Sequence, residues 1–178
     1  MRRASIQRFR SNAEGVAAVE FALVFPILIL LLMGSFDVTR AFIAHEKIKK
    51  TAYTLDQLIT KAPALNANDV QKTMAATTAI LAPIDASGIH IDVSYRYIDA
   101  SGKISERWTQ TYPKGSSPSS SSDLPKSYSD LRDVGYLSTN VRYTYSSVLS
   151  GLFFDKLEMN AQSIVRPRPG TPLSCADC

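Results

Sequence analysis

Histidine and cysteine are scarce in this chain, two of each among 178 residues, and tryptophan occurs once. The imidazoles are His45 and His90, and the thiols, Cys175 and Cys178, fall among the last four residues. A closed zinc site takes about four ligands, and no further pair stands at metal-binding spacing beside the terminal C-x-x-C. A redox C-x-x-C belongs to a strand-to-helix context, and this one closes a Pro-rich tail. Also missing are a Gly-rich phosphate loop, H-E-x-x-H, G-x-S-x-G and paired carboxylates at helical spacing. The chain is therefore expected not to be an enzyme and to hold no metal and no cofactor. The serines of residues 113–123 come without a positioned base, and His45 reads as a packed structural residue rather than a pH switch.

Charge is the next scarcity. From Val16 to Phe36 only one residue of 21 is ionisable, Glu20. As a helix this run is about 32 Å long, enough for a bilayer core of about 30 Å, so 16–36 is expected to be a transmembrane helix. A cleaved secretory signal has a shorter apolar run, of about 7–15 residues, followed by a small-residue cleavage site, and no Ala-x-Ala pattern follows Met33. Arg2, Arg3, Arg8 and Arg10 precede the span, and basic residues there hold their side in the cytoplasm. Removal of residues 1–15 lowers the net charge from +4 to +1, so the basicity is topogenic and nucleic-acid binding is not expected. A charge at the bilayer centre costs about 2.5–3.5 kcal/mol and less near the end of a span, where Glu20 sits. Pro26 removes one helix hydrogen bond and crowds the carbonyl of Ala22, which marks it as a hinge candidate.

Beyond the span, Val38, Ala41, His45, Ile48, Ala52, Leu55 and Ile59 follow a 3-4 alternation, so one helix is expected from about 17 to 61, stopped by Ala62-Pro63. Off that line, Asp37 stands three before Arg40 and Glu46 four before Lys50. A second helix is expected over about 69–81, capped by Asn68, with Val70, Met74 and Leu81 as its apolar face. The period then changes to two. Ile89, Ile91, Val93, Tyr95 and Tyr97 form one strand, Asp99-Ala100-Ser101-Gly102 a turn, and Ile104 to Tyr112 its partner. Val141-Tyr143-Tyr145 and Leu157-Met159-Ala161, with Ser163 and Val165, give two more strands, joined by an apolar connection at 149–154. The fold class is α+β, an antiparallel sheet of about four strands with one face under the long helix. Residues 113–130 read as a mobile Ser/Pro-rich loop.

Gly15, four small or apolar residues and then Glu20-Phe21 make a pattern that resembles the processing site of type IV prepilin-like proteins. In particular the chain is similar to the TadE/TadF pseudopilins, bitopic minor pilins of the tight-adherence (Flp) pilus system. The likeness covers about residues 8–60, through Arg8-Phe9-Arg10, Val19-Glu20-Phe21-Ala22-Leu23, Pro26 and Asp37-Val38-Thr39-Arg40-Ala41-Phe42. Later it is one of layout, although Tyr143-Thr144-Tyr145 before Leu149-Ser150-Gly151-Leu152-Phe153 also looks family-like. The resemblance implies a pilin-like fold and a prepilin peptidase cut between Gly15 and Val16. It also implies that Glu20, with Phe21, recruits a neighbouring subunit through that subunit's α-amine. After such a cut Val16 carries an α-amine of pKa about 8 one helical turn from Glu20. The competing reading is that Glu20 only favours the helix N-terminus, worth at most about 1 kcal/mol when exposed.

The expected layout is a cytoplasmic basic leader (1–15), a transmembrane helix (16–36), its amphipathic continuation (37–62), an extracytoplasmic α+β head (63–166) and an extended tail (167–178). Outside the membrane, Cys175 and Cys178 are disulfide candidates, with intermolecular pairing or free thiols as alternatives. The expected function is a pseudopilin or minor pilin of the bacterial inner membrane, N-terminus cytoplasmic and head periplasmic, supporting assembly of an adherence pilus. Its partners are then a prepilin peptidase, other pilin subunits, the inner-membrane assembly platform and membrane lipid. The alternative is a bitopic periplasmic adaptor or ligand-binding module never built into a fibre.

Overall fold

A computed structural model describes residues 13–62, 65–118, 130–147, 155–167, 173–175 and 177–178. The elements run α1 (Ala13–Lys61), α2 (Ala67–Thr77), a 3-10 turn (Thr78–Leu81), β1 (Ile89–Ile98), β2 (Ile104–Tyr112), β3 (Val134–Ser146) and β4 (Lys156–Val165). The four strands pair antiparallel in the order β2-β1-β3-β4. This is the α+β arrangement that the change from a 3.6-residue to a two-residue period implies.

One face of the sheet carries the odd-numbered residues of its inner strands. Val93, Thr139 and Ser163 stand in one row, and Ile91, Val141 and Ala161 in the next. The C-terminal half of α1 crosses β3 and β4 on this face, and α2 lies beside β2. Ile48, Leu55 and Ile59 of α1 meet Val70, Met74, Leu81, Ile89, Val93 and Leu137 in one buried cluster. Each such side chain contributes about 1.5–3 kcal/mol by leaving water. The head therefore includes the second half of the helix.

The structure corrects several local expectations. The described part of α1 already includes Ala13, so the Gly15–Val16 bond lies within the helix. Val38 is not on the buried seam: it is 62% exposed, while Asp37 and Ala44 are each 1% exposed. The seam runs 37, 41, 44, 48, 52, 55, 59, and His45 beside it is half-buried. Glu46 pairs with Lys49 at 2.9 Å rather than with Lys50. The cap of α2 is Asn66 rather than Asn68: its backbone is extended and its side chain accepts from the Asp69 N–H at 2.8 Å. The second helix is α only to Thr77 and tightens to 3-10 over its last four residues. β3 begins at Val134, because residues 136–141 are buried on both faces and show no alternation.

The described end of the tail docks on the head. Cys175 bridges Leu65 in parallel, and Trp108 Nε1 donates to the Leu173 carbonyl at 3.0 Å. The Ala67 N–H at the start of α2 donates to Asp177 Oδ1 at 2.8 Å. The described end of the chain thus closes on the head. The leader through residue 12, the connection at 149–154 and positions 119–129 of the Ser/Pro-rich stretch lie outside the described residues.

Candidate functional site

The residues singled out by the sequence lie on the N-terminal half of α1. Gly15, Val16, Glu20 and Phe21 are all exposed, and the Phe21 and Phe25 rings stack at 5.2 Å between centroids. Helix continues through Pro26 without interruption. From Gly15 to Phe36 no side chain is buried, and α1 is long and apolar enough to cross a membrane. A Cβ added at Gly15 meets nothing within 4 Å, so packing within this chain imposes no glycine there.

Two buried carboxylates mark the half of the helix that holds the head. At its N-terminal end, Tyr145 OH donates to Asp37 Oδ1 at 2.7 Å, and the Ser147 hydroxyl donates to Asp37 Oδ2. Burial first, then the Asp37 bond, push the Tyr145 phenol up to about 12, so it stays a neutral donor at any physiological pH. Five turns along, Asp56 is wholly buried, and Thr139 Oγ1 donates to its Oδ1 at 2.5 Å. Desolvation raises the Asp56 carboxyl to about 7, against the pull of the Ser163 and Thr139 hydroxyls. Its Oδ2 has no hydrogen-bond partner at conventional geometry. Both acids thus fasten α1 to β3 by side chains more than 80 residues away in sequence.

Asp37 was legible as far as its phase, four residues before Ala41 on the seam. Its composition, an acid three before Arg40, pointed instead to a surface pair. In the fold Arg40 stacks over the Phe36 ring at 5.8 Å.

Cys175 and Cys178 are joined in a disulfide, with Cα atoms 5.4 Å apart. The Asp177 carboxylate lies against the two sulfurs, but thiolates are the metal ligands and these sulfurs are bonded to each other. The cluster works as a clasp, closing the tail over the start of α2.

Residues 15–54 match the family model described as TadE-like protein. The TadE-like segment begins at Gly15, takes in Glu20, Phe21 and Pro26, and ends inside the part of α1 that supports the head. It joins both halves of the helix and excludes the sheet. Over this segment the chain is thus similar to TadE-like proteins. No curated protein and no solved structure matches the chain.

Proposed function

We propose that this chain is a membrane-anchored pseudopilin, or minor pilin, that supports initiation, tip or platform steps in assembling a Flp-type adherence pilus. In this reading a prepilin peptidase removes residues 1–15. The N-terminus faces the cytoplasm across the bacterial inner membrane, and the head stands in the periplasm. The protein acts by association, with other pilin subunits and the assembly platform as partners, and catalyses nothing. The observation that carries the reading is the unburied first half of α1 inside the TadE-like match: glycine where the fold requires none, and a carboxylate, Glu20, exposed on an otherwise apolar surface.

Cleavage gives Val16 a cationic amine at the end of this surface. In lipid the amine and Glu20 neutralise each other within one turn, and in an assembly the same carboxylate meets the amine of a neighbour. A charge-assisted contact in an apolar setting is worth about 1.5–3 kcal/mol, roughly a ten- to 150-fold change in association constant. Pro26, one and a half turns on, supplies the point at which the free half adjusts its angle to that neighbour.

Glu20→Leu and Glu20→Gln test it. Both variants are expected to be processed and membrane-embedded yet to lose subunit crosslinks and pilus number. Glu20→Gln keeps size and polarity, so normal assembly by that variant would remove Glu20 as the recruiting group.

A further inference from the structure

We propose that the free face of α1 just beyond the span, from Phe42 to Lys50, lies in the outer headgroup layer of the same bilayer, so that the head reclines on the membrane. The proposal rests on the reading of residues 16–36 as membrane-spanning and commits to a lipid surface as the occupant of this face.

Four observations carry it. The face turned away from the sheet carries apolar side chains after the span ends: beyond Phe36, over whose ring Arg40 lies, Phe42 and Ile43 are 65% and 44% exposed. The hydroxyls of Ser35 and Thr39 do not interrupt it, because Ser35 donates to the Leu32 carbonyl and Thr39 to the Ser35 carbonyl, each at 2.8 Å. Such back-bonded hydroxyls need no water. From Val16 to Ile43 the helix measures about 42 Å, against about 30 Å for a hydrocarbon core and about 40–45 Å with both headgroup layers. A long apolar stretch is accommodated by tilt, and tilt toward this face carries Phe42 and Ile43 into the layer's apolar edge.

Charge then appears where phosphates would stand. Glu46 and Lys49 neutralise each other, and Lys47 is held away by the Ile80 and Leu81 carbonyls at 3.3 Å, and by that of Ala82. Lys50 has no ion-pair partner among the described residues. Helical side chains lean toward the N-terminus, so its ammonium reaches back toward the bilayer while its methylenes cover apolar surface. Tyr53, 59% exposed one turn further on, is the residue type enriched where membrane meets water.

The test uses the full chain in phosphatidylcholine/phosphatidylglycerol vesicles. The native cysteines are bonded to each other, so single cysteines take a nitroxide label selectively. Leu30→Cys, Phe42→Cys and Lys61→Cys are labelled in separate proteins, and accessibility to oxygen and to a water-soluble nickel chelate is read by power saturation. Oxygen should dominate at 30 and 42, and the chelate at 61, with the oxygen-to-nickel ratio several-fold higher at 42 than at 61. A chelate-dominated label at 42 with an oxygen-dominated one at 30 overturns the proposal and leaves the span intact. A label at 42 closed to both reagents also overturns it, because a second copy or another protein then covers the face. An aqueous label at 30 defeats the spanning reading itself.

Discussion

The two halves of α1 are one continuous helix built for different surroundings. Residues 15–36 bury no side chain, whereas 37–61 bury Asp37, Ala41, Ala44, Ile48, Thr51, Ala52, Leu55, Asp56 and Ile59 along one stripe. Apart from Glu20 the first half is apolar all round, the pattern of a helix surrounded by lipid or by other helices, and the second is apolar on one side, the pattern of a helix on a sheet. Buried polar groups occur only in the second half, where β3 supplies a donor to each of the two acids and Thr51 donates to the Lys47 carbonyl of its own helix. A helix can therefore serve as anchor and as core element when the change of environment coincides with a change in hydrophobic pattern. In this chain Asp37, bonded to Tyr145 and Ser147, marks that change.

The sharpest way to break the comparison is to make the same kind of truncation on each side of Asp37. Leu55→Ala opens a hole in the core and should destabilise the head by about 2–5 kcal/mol. Leu31→Ala, at a 65% exposed site, should stay within about 0.5 kcal/mol. Thermal unfolding in detergent, followed by Trp108 fluorescence, measures both. Equal losses would mean that the two halves do not differ in packing.

Next in size is the pH dependence set by Asp56. Its folded pKa of about 7 lies above the unfolded value of 3.8, so the folded state holds the proton to higher pH. Stability should be whole below about pH 4 and fall as pH rises through 7, by on the order of 4 kcal/mol in full. Asp56→Asn keeps an acceptor for Thr139 and should flatten that decline, gaining over wild type at pH 8 and matching it at pH 4. Parallel melting curves for the two proteins across that range would count against a buried, titrating Asp56.

Smaller effects sharpen the picture at the edge of the head. Asn66→Ala removes the α2 cap and should cost about 1 kcal/mol, whereas Asn68→Ala, exposed in the first turn, should change little. Urea midpoints distinguish them, and reversed effects would restore Asn68 as the cap. Smallest of all, Phe42→Ser on the free face should leave head stability within about 0.5 kcal/mol. A larger drop in the urea midpoint would mean that Phe42 packs on the head.

What the sequence made legible was local. The 3-4 spacing from Ala41 to Ile59 located the helix, and Ile89 to Tyr97 located a strand, because each signal lies within one element. Gly15 and Glu20 stood out for the same reason, as a short pattern against an apolar background. The buried acids were hidden because their burial depends on Thr139, Tyr145 and Ser147, and a carboxylate read alone looks like surface. The first half of β3 was hidden by burial on both faces, and the docking of the tail by the distance between Leu65 and Cys175 in the chain. Val38 was misplaced because hydrophobicity outweighed phase, although Asp37 fits the seam better.

The central claim, that the exposed end of α1 is a processed pilin-like terminus, is tested most directly by the N-terminal mass of the protein from membrane and sheared-pilus fractions. The account predicts a chain beginning at Val16 in both fractions and an untrimmed chain confined to the membrane for Gly15→Ala. A wild-type chain that keeps residues 1–15 in both fractions, or equal trimming of Gly15→Ala at this bond, would contradict it.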